Sequence, residues 1–108
     1  LASGSPSVGL IANILQNTIG HLDFGLPLEA SVHRPRFGGS SIALPGAHYI
    51  EVDVPEPVRH EVTRRGVRFH VTSPWYFMNG AFEGIAMNAA GNATACADPR
   101  RTGHAEAV

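Results

Sequence analysis

The stretch Gly4-Ser5-Pro6-Ser7-Val8-Gly9 holds the residues best suited to chemistry in this sequence. Its small residues can turn sharply, and the backbone N–H groups at its end would open the amphipathic segment that follows. Uncapped N–H groups at a helix start, helped by the helix dipole, accommodate an anion or a developing oxyanion. The same composition also serves as a plain strand-to-helix turn. A phosphate cradle is the weaker option. The stretch lacks the Gly-Lys-Ser/Thr ending of a P-loop, and its glycines do not fit the spaced dinucleotide pattern.

Other reactive residue types are scattered. His21, His33, His48, His60, His70 and His104 show no metal-ligand spacing, and the single cysteine, Cys96, neither supplements them nor allows an internal disulfide. The sequence therefore implies no metal. Arg34 and Arg36 flank Pro35, and such a pair could grip a carboxylate bidentately. The plainer reading is that they tie down a loop by bonding carbonyls or acids. Arg59, Arg64 and Arg65 read as a solvated helix face.

The chain has 108 residues, 44% hydrophobic and 16% charged, with a formal net charge of −1. That length allows one domain with a modest core. The near-neutral balance argues against nucleic acid or an anionic membrane as main partner, and no apolar run approaches a membrane span. Leu1-Ala2 reads as the tail of a buried strand, with neither an initiator Met nor the pattern of a signal peptide. The chain is expected to be cut or processed from something longer.

These residues are placed by a short series of elements. From Ser7 to about Leu22, Val8, Ile11, Leu15 and Leu22 recur at helical spacing, and Leu10, Ile14 and Ile19 widen the stripe. Asn13, Gln16, Asn17 and His21 take the other face. The pattern predicts a largely buried helix packed on a sheet, with Ser7 as N-cap and Gly25 as C′ residue. Leu26 to His33 is a short second helix, ended by Pro35. Gly38-Gly39-Ser40-Ser41 and Pro45-Gly46 read as loop, and Tyr49–Val52 as a strand. Pro55–Arg65 is a third helix with Val58 and Val62 on its apolar face, and Val67, Phe69 and Val71 mark another strand. Ser73–Gly80 is an aromatic loop that can line a pocket or cap a core end. Ala81–Asn88 and Ala93–Ala97 form a hairpin, Asp98–Arg101 ends the ordered part, and the tail frays. The order of elements is that of an α/β or α+β piece.

Taken in order, Gly4-Ser5-Pro6, Phe24-Gly25 with Leu28-Glu29-Ala30, Pro35-Arg36-Phe37, Arg64-Arg65-Gly66-Val67 and Ala97-Asp98-Pro99-Arg100-Arg101 resemble the C-terminal end of the gamma-glutamyltransferase family. The resemblance covers essentially the whole chain, residues 1–108, as the C-terminal portion of a small subunit. It implies an α+β fold: part of the αββα sandwich of N-terminal-nucleophile hydrolases, incomplete in this chain. It also implies a precursor that cleaves itself, exposing a threonine whose own amine can serve as base. That threonine attacks an amide such as a gamma-glutamyl bond, and the acyl group passes to water or an amine. No cofactor is implied. The implied partners are the upstream part of the small subunit, the large subunit and a small amide substrate. Bacterial members are often periplasmic or secreted.

Carried over residue by residue, the resemblance gives this chain the oxyanion turn and little else. The family usually reads Gly-Ser-Pro-Gly-Gly-Ser there and uses the N–H groups of the two central glycines, which here are Ser7 and Val8. Gly4, Ser5 and Pro6 would shape the pocket. The nucleophile lies upstream, and none of Thr18, Thr63, Thr72, Thr94 or Thr102 sits in a matching context, so this chain alone is expected to be inactive. Serine and valine keep their N–H groups, yet a β-branched valine adopts positive φ only at a cost. A divergent amidase or acyltransferase is expected. The alternative is a non-catalytic binding or structural remnant of the same fold.

Overall fold

A computed structural model describes residues 1–4 and 9–106, residues 2–4 through their backbone alone. Two three-stranded sheets form in the order β1-β5-β6 and β2-β3-β4. Strand β1 (Ala2–Gly4) pairs antiparallel with β5 (Glu83–Met87), which pairs antiparallel with β6 (Ala93–Cys96). The β5–β6 hairpin turns through Asn88, whose side chain accepts the N–H groups of Ala90 and Asn92, and Gly91 supplies the left-handed residue at φ +83°.

In the second sheet, β2 (Phe37–Ser40) runs antiparallel to β3 (His48–Glu51), while β4 (Phe69–Thr72) runs parallel to β3. A parallel pair needs a crossover, and helix α3 (Glu56–Arg64) lies within it. Proline in the first turn of α3 fits the missing N–H there. Its predicted apolar face is only lightly used: no α3 residue is buried, and Val58 is exposed. The segment expected to be loop at Gly38–Ser41 instead forms most of β2 and its exit. There Gly38 at φ +110° approaches Ala12, an approach open to a residue without a side chain.

Helices α1 (Leu10–Leu22) and α2 (Leu28–His33) pack together. A Cβ at Gly20 of α1 would collide with Ser31 Oγ of α2, so glycine sets how closely the helices meet. Leu28 and Val32 of α2 join Phe82 and Cys96 in the apolar core. Among the described residues helix α1 runs Leu10–Leu22. Gly9 is its N-cap, and Ser7, the expected cap, lies outside the described residues.

The expected orientation of α1 is reversed. Asn13 and Asn17 are about 1% exposed, while Ile11 and Leu22 are 72% and 61% exposed. The polar face can go inward because its groups find partners. Asn17 donates to the Asn13 side chain at 2.6 Å, Ser31 donates to the Asn17 carbonyl at 3.0 Å, and Gln16 donates to the Phe37 carbonyl at 2.6 Å. The apolar stripe of α1 is left facing outward.

Candidate functional site

The chain leaves β1 at Gly4 and resumes at Gly9, so the candidate turn joins a strand end to a helix start. The predicted site residues Ser5, Pro6, Ser7 and Val8 lie outside the described residues. Both of their anchors are defined. Gly4 pairs with Glu83 across the sheet. Gly9 is buried and begins a thirteen-residue helix that has no side-chain cap and no acidic residue in its first turn. Its first hydrogen bond runs from the Asn13 N–H to the Gly9 carbonyl at 2.8 Å. The N–H groups of the first turn of a helix have no partner within the helix itself.

Gly9 is tightly enclosed. A Cβ on it would lie 2.8 Å from the Asn79 carbonyl carbon and 2.9 Å from its oxygen. From the opposite strand, a Cβ on Gly39 would come within 3.3 Å of Gly9 Cα. The last position of the family pattern, serine there and glycine here, is therefore one where this chain has no room for a side chain.

Behind Asn79 lies a cluster that sequence reasoning missed. Glu51, 0% exposed, accepts five hydrogen bonds. Its Oε1 receives the Tyr76 N–H at 3.0 Å, Asn79 Nδ2 at 3.3 Å and Arg100 Nε at 2.6 Å. Its Oε2 receives the Arg36 N–H at 3.0 Å and Arg100 Nη2 at 2.6 Å. Arg100 also bonds Asp98 at 3.1 Å and the carbonyls of Val32 and Arg34 at 3.2 and 2.9 Å. Asp98 pairs with Arg36 and accepts the Phe82 N–H at 2.8 Å. Two arginines thus meet two carboxylates, all but free of solvent. Burial is the largest influence on Arg36, and with the neighbouring Arg100 it pulls the guanidinium down to about 10 against the pull of Asp98. Burial acts the same way on Arg100 but is outweighed by Glu51 and Asp98, so its pKa rises. Both remain cations at neutral pH.

Of the two readings of the arginine pair, the geometry favours the plainer one: Arg34 is exposed, while Arg36 bonds the acid Asp98 and the Val32 carbonyl, so the two form no clamp. Asp98–Arg101, expected to end the ordered part, also carries two of the most deeply buried residues, Asp98 and Arg100. The signals for the cluster were the motifs holding Arg36, Asp98 and Arg100 and an acid, Glu51, set in the apolar run Tyr49–Val52, but nothing in the sequence joined them.

The aromatic loop divides. Tyr76 packs on Tyr49 at 5.1 Å, whereas Trp75 and Phe77 are half exposed. Trp75 takes φ +52°, a strained value for a bulky side chain, in the residue just before the N–H that bonds Glu51. Among the described residues no group of histidine, cysteine or acidic side chains could hold a metal, and no helix is long and apolar enough to cross a membrane.

Solved structures share this architecture. A gamma-glutamyltranspeptidase from Pseudomonas nitroreducens, complexed with L-DON, matches 98% of this chain and 54% of its own, with TM-score 0.76 and 23% identity. The transpeptidase CapD of Bacillus anthracis matches 98% of this chain and 62% of its own, with TM-score 0.77 and 17% identity. A cephalosporin acylase from Bacillus halodurans gives TM-score 0.77 and 20% identity over 91% of this chain and 18% of its own. No curated protein matches by sequence. The chain spans about half the length of the Pseudomonas chain it matches. At these identities the likeness shows the fold: an α+β fragment of the N-terminal-nucleophile hydrolase sandwich. A family model described as gamma-glutamyltranspeptidase matches residues 3–108, and the chain belongs to that family.

Proposed function

We propose that residues 1–108 are the C-terminal portion of the small subunit of a gamma-glutamyltranspeptidase-like amide hydrolase or acyltransferase. In this reading a threonine outside the chain attacks an amide carbonyl, and the N–H groups of Ser7 and Val8 receive the developing oxyanion. Gly4, Ser5 and Pro6 shape the pocket around it. The observation that carries the reading is that α1 starts, without a side-chain cap at Gly9, directly after the family turn in sequence, with Gly9 fixed between two backbones. Donors held in place before reaction stabilise charge that appears only in the transition state, and losing one costs on the order of 10²–10³ in rate. The acyl donor is a gamma-glutamyl or related amide, since the relatives' names span transpeptidases and an acylase. The remaining partners are the upstream small-subunit segment and the large subunit of one precursor. The outward stripe Ile11, Leu15 and Leu22 supports such a covering and counts against a stand-alone remnant.

The test is expression of the longer reading frame that contains this chain, followed by assay on a chromogenic gamma-glutamyl anilide and mass spectrometry after exposure to L-DON. Turnover together with covalent label on a threonine outside residues 1–108 is expected. Absence of both would overturn the reading. In the active protein, Val8→Pro removes one N–H and should lower kcat by about 10²–10³ with little change in KM, whereas Val8→Gly keeps the donor and the rate.

A further inference from the structure

We infer that Asn79 is a positioning residue for the turn: its main chain is the wall against which Gly9 is set, and its side-chain amide fastens that wall to buried Glu51. This deepens the proposed function and rests on it. The wall is defined by three close approaches, since a Cβ at Gly9 would meet the Asn79 carbonyl carbon, oxygen and Cα at 2.8, 2.9 and 3.2 Å. The opposing side is Gly39, whose own added Cβ would lie 3.4 Å from the Gly9 nitrogen and 3.5 Å from the Met78 carbonyl. Gly9 therefore has no slack in either direction. Because its carbonyl accepts the first helical hydrogen bond of α1, moving it moves the helix start and the last residue of the turn together.

What keeps the wall in place is Glu51. It takes Asn79 Nδ2 at 3.3 Å and the Tyr76 N–H at 3.0 Å, and Asn79 in turn donates its own N–H to the Tyr76 carbonyl at 2.9 Å. The short helical turn Phe77–Asn79 is thus pinned at both ends to one carboxylate. Two features carry a cost that this role explains. Asn79 is 2% exposed, yet its Oδ1 has no hydrogen-bond partner among the described residues. Trp75 holds positive φ in the residue before the pinned N–H. Buried unpaired acceptors and strained backbones cluster where geometry serves function. Oxyanion donors work only within a few tenths of an ångström, and misplacing a group by about 1 Å can cost 10²-fold. A wall that fixes Gly9 therefore acts on kcat.

The experiment uses the longer processed protein, with rates expressed per L-DON-labelled site so that misfolded molecules drop out. Gly9→Ala should lower kcat by about tenfold or more with KM within about twofold, because alanine suits the helical φ and only the contact with Asn79 opposes it. Asn79→Ala, which frees the wall from Glu51 but leaves it standing, should give a smaller fall in kcat with the same unchanged KM. Loss of labelled sites with normal kcat at those remaining would mark a merely structural role and overturn the inference, as would wild-type kcat in Gly9→Ala. If the wild-type protein neither turns over nor labels, the proposed function fails while the wall is judged by amide exchange. Exchange at residues 13–16, the first amides bonded within α1, should then quicken about tenfold in Asn79→Ala, and unchanged exchange would overturn it.

Discussion

Two regions of this molecule invert the usual arrangement of charge and hydrocarbon. The joint between α2, β3 and the C-terminal segment buries Arg36, Glu51, Asp98 and Arg100, while the outer face of α1 presents Ile11, Leu15 and Leu22 to solvent. The charges are tolerable inside because nearly every polar atom has a partner, Arg36 Nε excepted. Such a joint contributes geometry more than free energy, since desolvating four ions offsets much of their attraction. The hydrocarbons outside have no comparable reason within residues 1–108. A fold whose own core is small, centred on Leu28, Val32, Phe82 and Cys96, leaves its longest helix with an apolar face to spend on something else. The inside fixes the relation between distant segments, and the outside is, under the proposed function, the docking face that the remainder of the protein would cover.

The sharpest way to break the contrast is at Arg100. Replacing it with methionine leaves Glu51 and Asp98 as buried carboxylates short of a cation, and breaking a buried pair from one side costs about 3–5 kcal/mol. Urea unfolding of the longer protein should show a loss of that size. Arg100→Lys keeps the charge but cannot serve Glu51, Asp98, Val32 and Arg34 at once, so it should fall between. A loss under about 1 kcal/mol for the methionine variant would remove the joint from the account.

The docking face makes a prediction that changes with context. In the longer protein, Ile11→Ser and Leu15→Ser should each cost about 1.5–3 kcal/mol, the value of burying such a side chain. In residues 1–108 alone the same changes touch exposed positions, so stability should stay within about 0.5 kcal/mol while self-association falls. Light scattering of the isolated chain with and without both changes reads the second half. Equal destabilisation in both contexts would mean that α1 is not covered by the remainder of the protein.

The contrast also explains what the sequence made legible. Local signals worked where the physics is local. Proline and glycine bounded α2 and α3, alternation marked β4, and Gly91 marked the hairpin turn. Periodicity correctly revealed that α1 is amphipathic, but it is silent about which face the rest of the chain covers. Asn13 and Asn17 lie on the face that meets α2, where Ser31 bonds the Asn17 carbonyl and Gly20 lets Ser31 approach, a fact of tertiary contact. The four buried charges lie at positions 36, 51, 98 and 100, and only the topology brings them together. The reading of the turn rests on its glycines and family pattern alone, since Ser5 to Val8 lie outside the described residues, whereas Asn79 lies seventy residues from Gly9 and carries no motif.

The smallest effect separates the two regions at their border. Cys96 ends β6 inside the apolar core, and its thiol is pushed up first by burial and then by the nearby Glu29 and Asp98 carboxylates. A raised pKa leaves less thiolate at any given pH, and thiolate is the reactive form. Native protein should therefore react with a disulfide reagent at pH 8 about tenfold or more slowly than the chain in denaturant, with a pH profile displaced upward. The linkage has a fixed sign. The neutral thiol's contribution is fully present below the unfolded thiol's pKa and is lost as pH rises through the raised folded value, so stability should decline in alkali. Cys96→Ala should abolish the labelling and leave the joint at Arg100 intact, because among the described residues Cys96 Sγ bonds the Ala97 carbonyl at 3.6 Å and none of the four charges. Fast labelling of the native protein at pH 8 would instead show that the core around Leu28 and Phe82 opens, making the charged joint the more rigid of the molecule's two interiors.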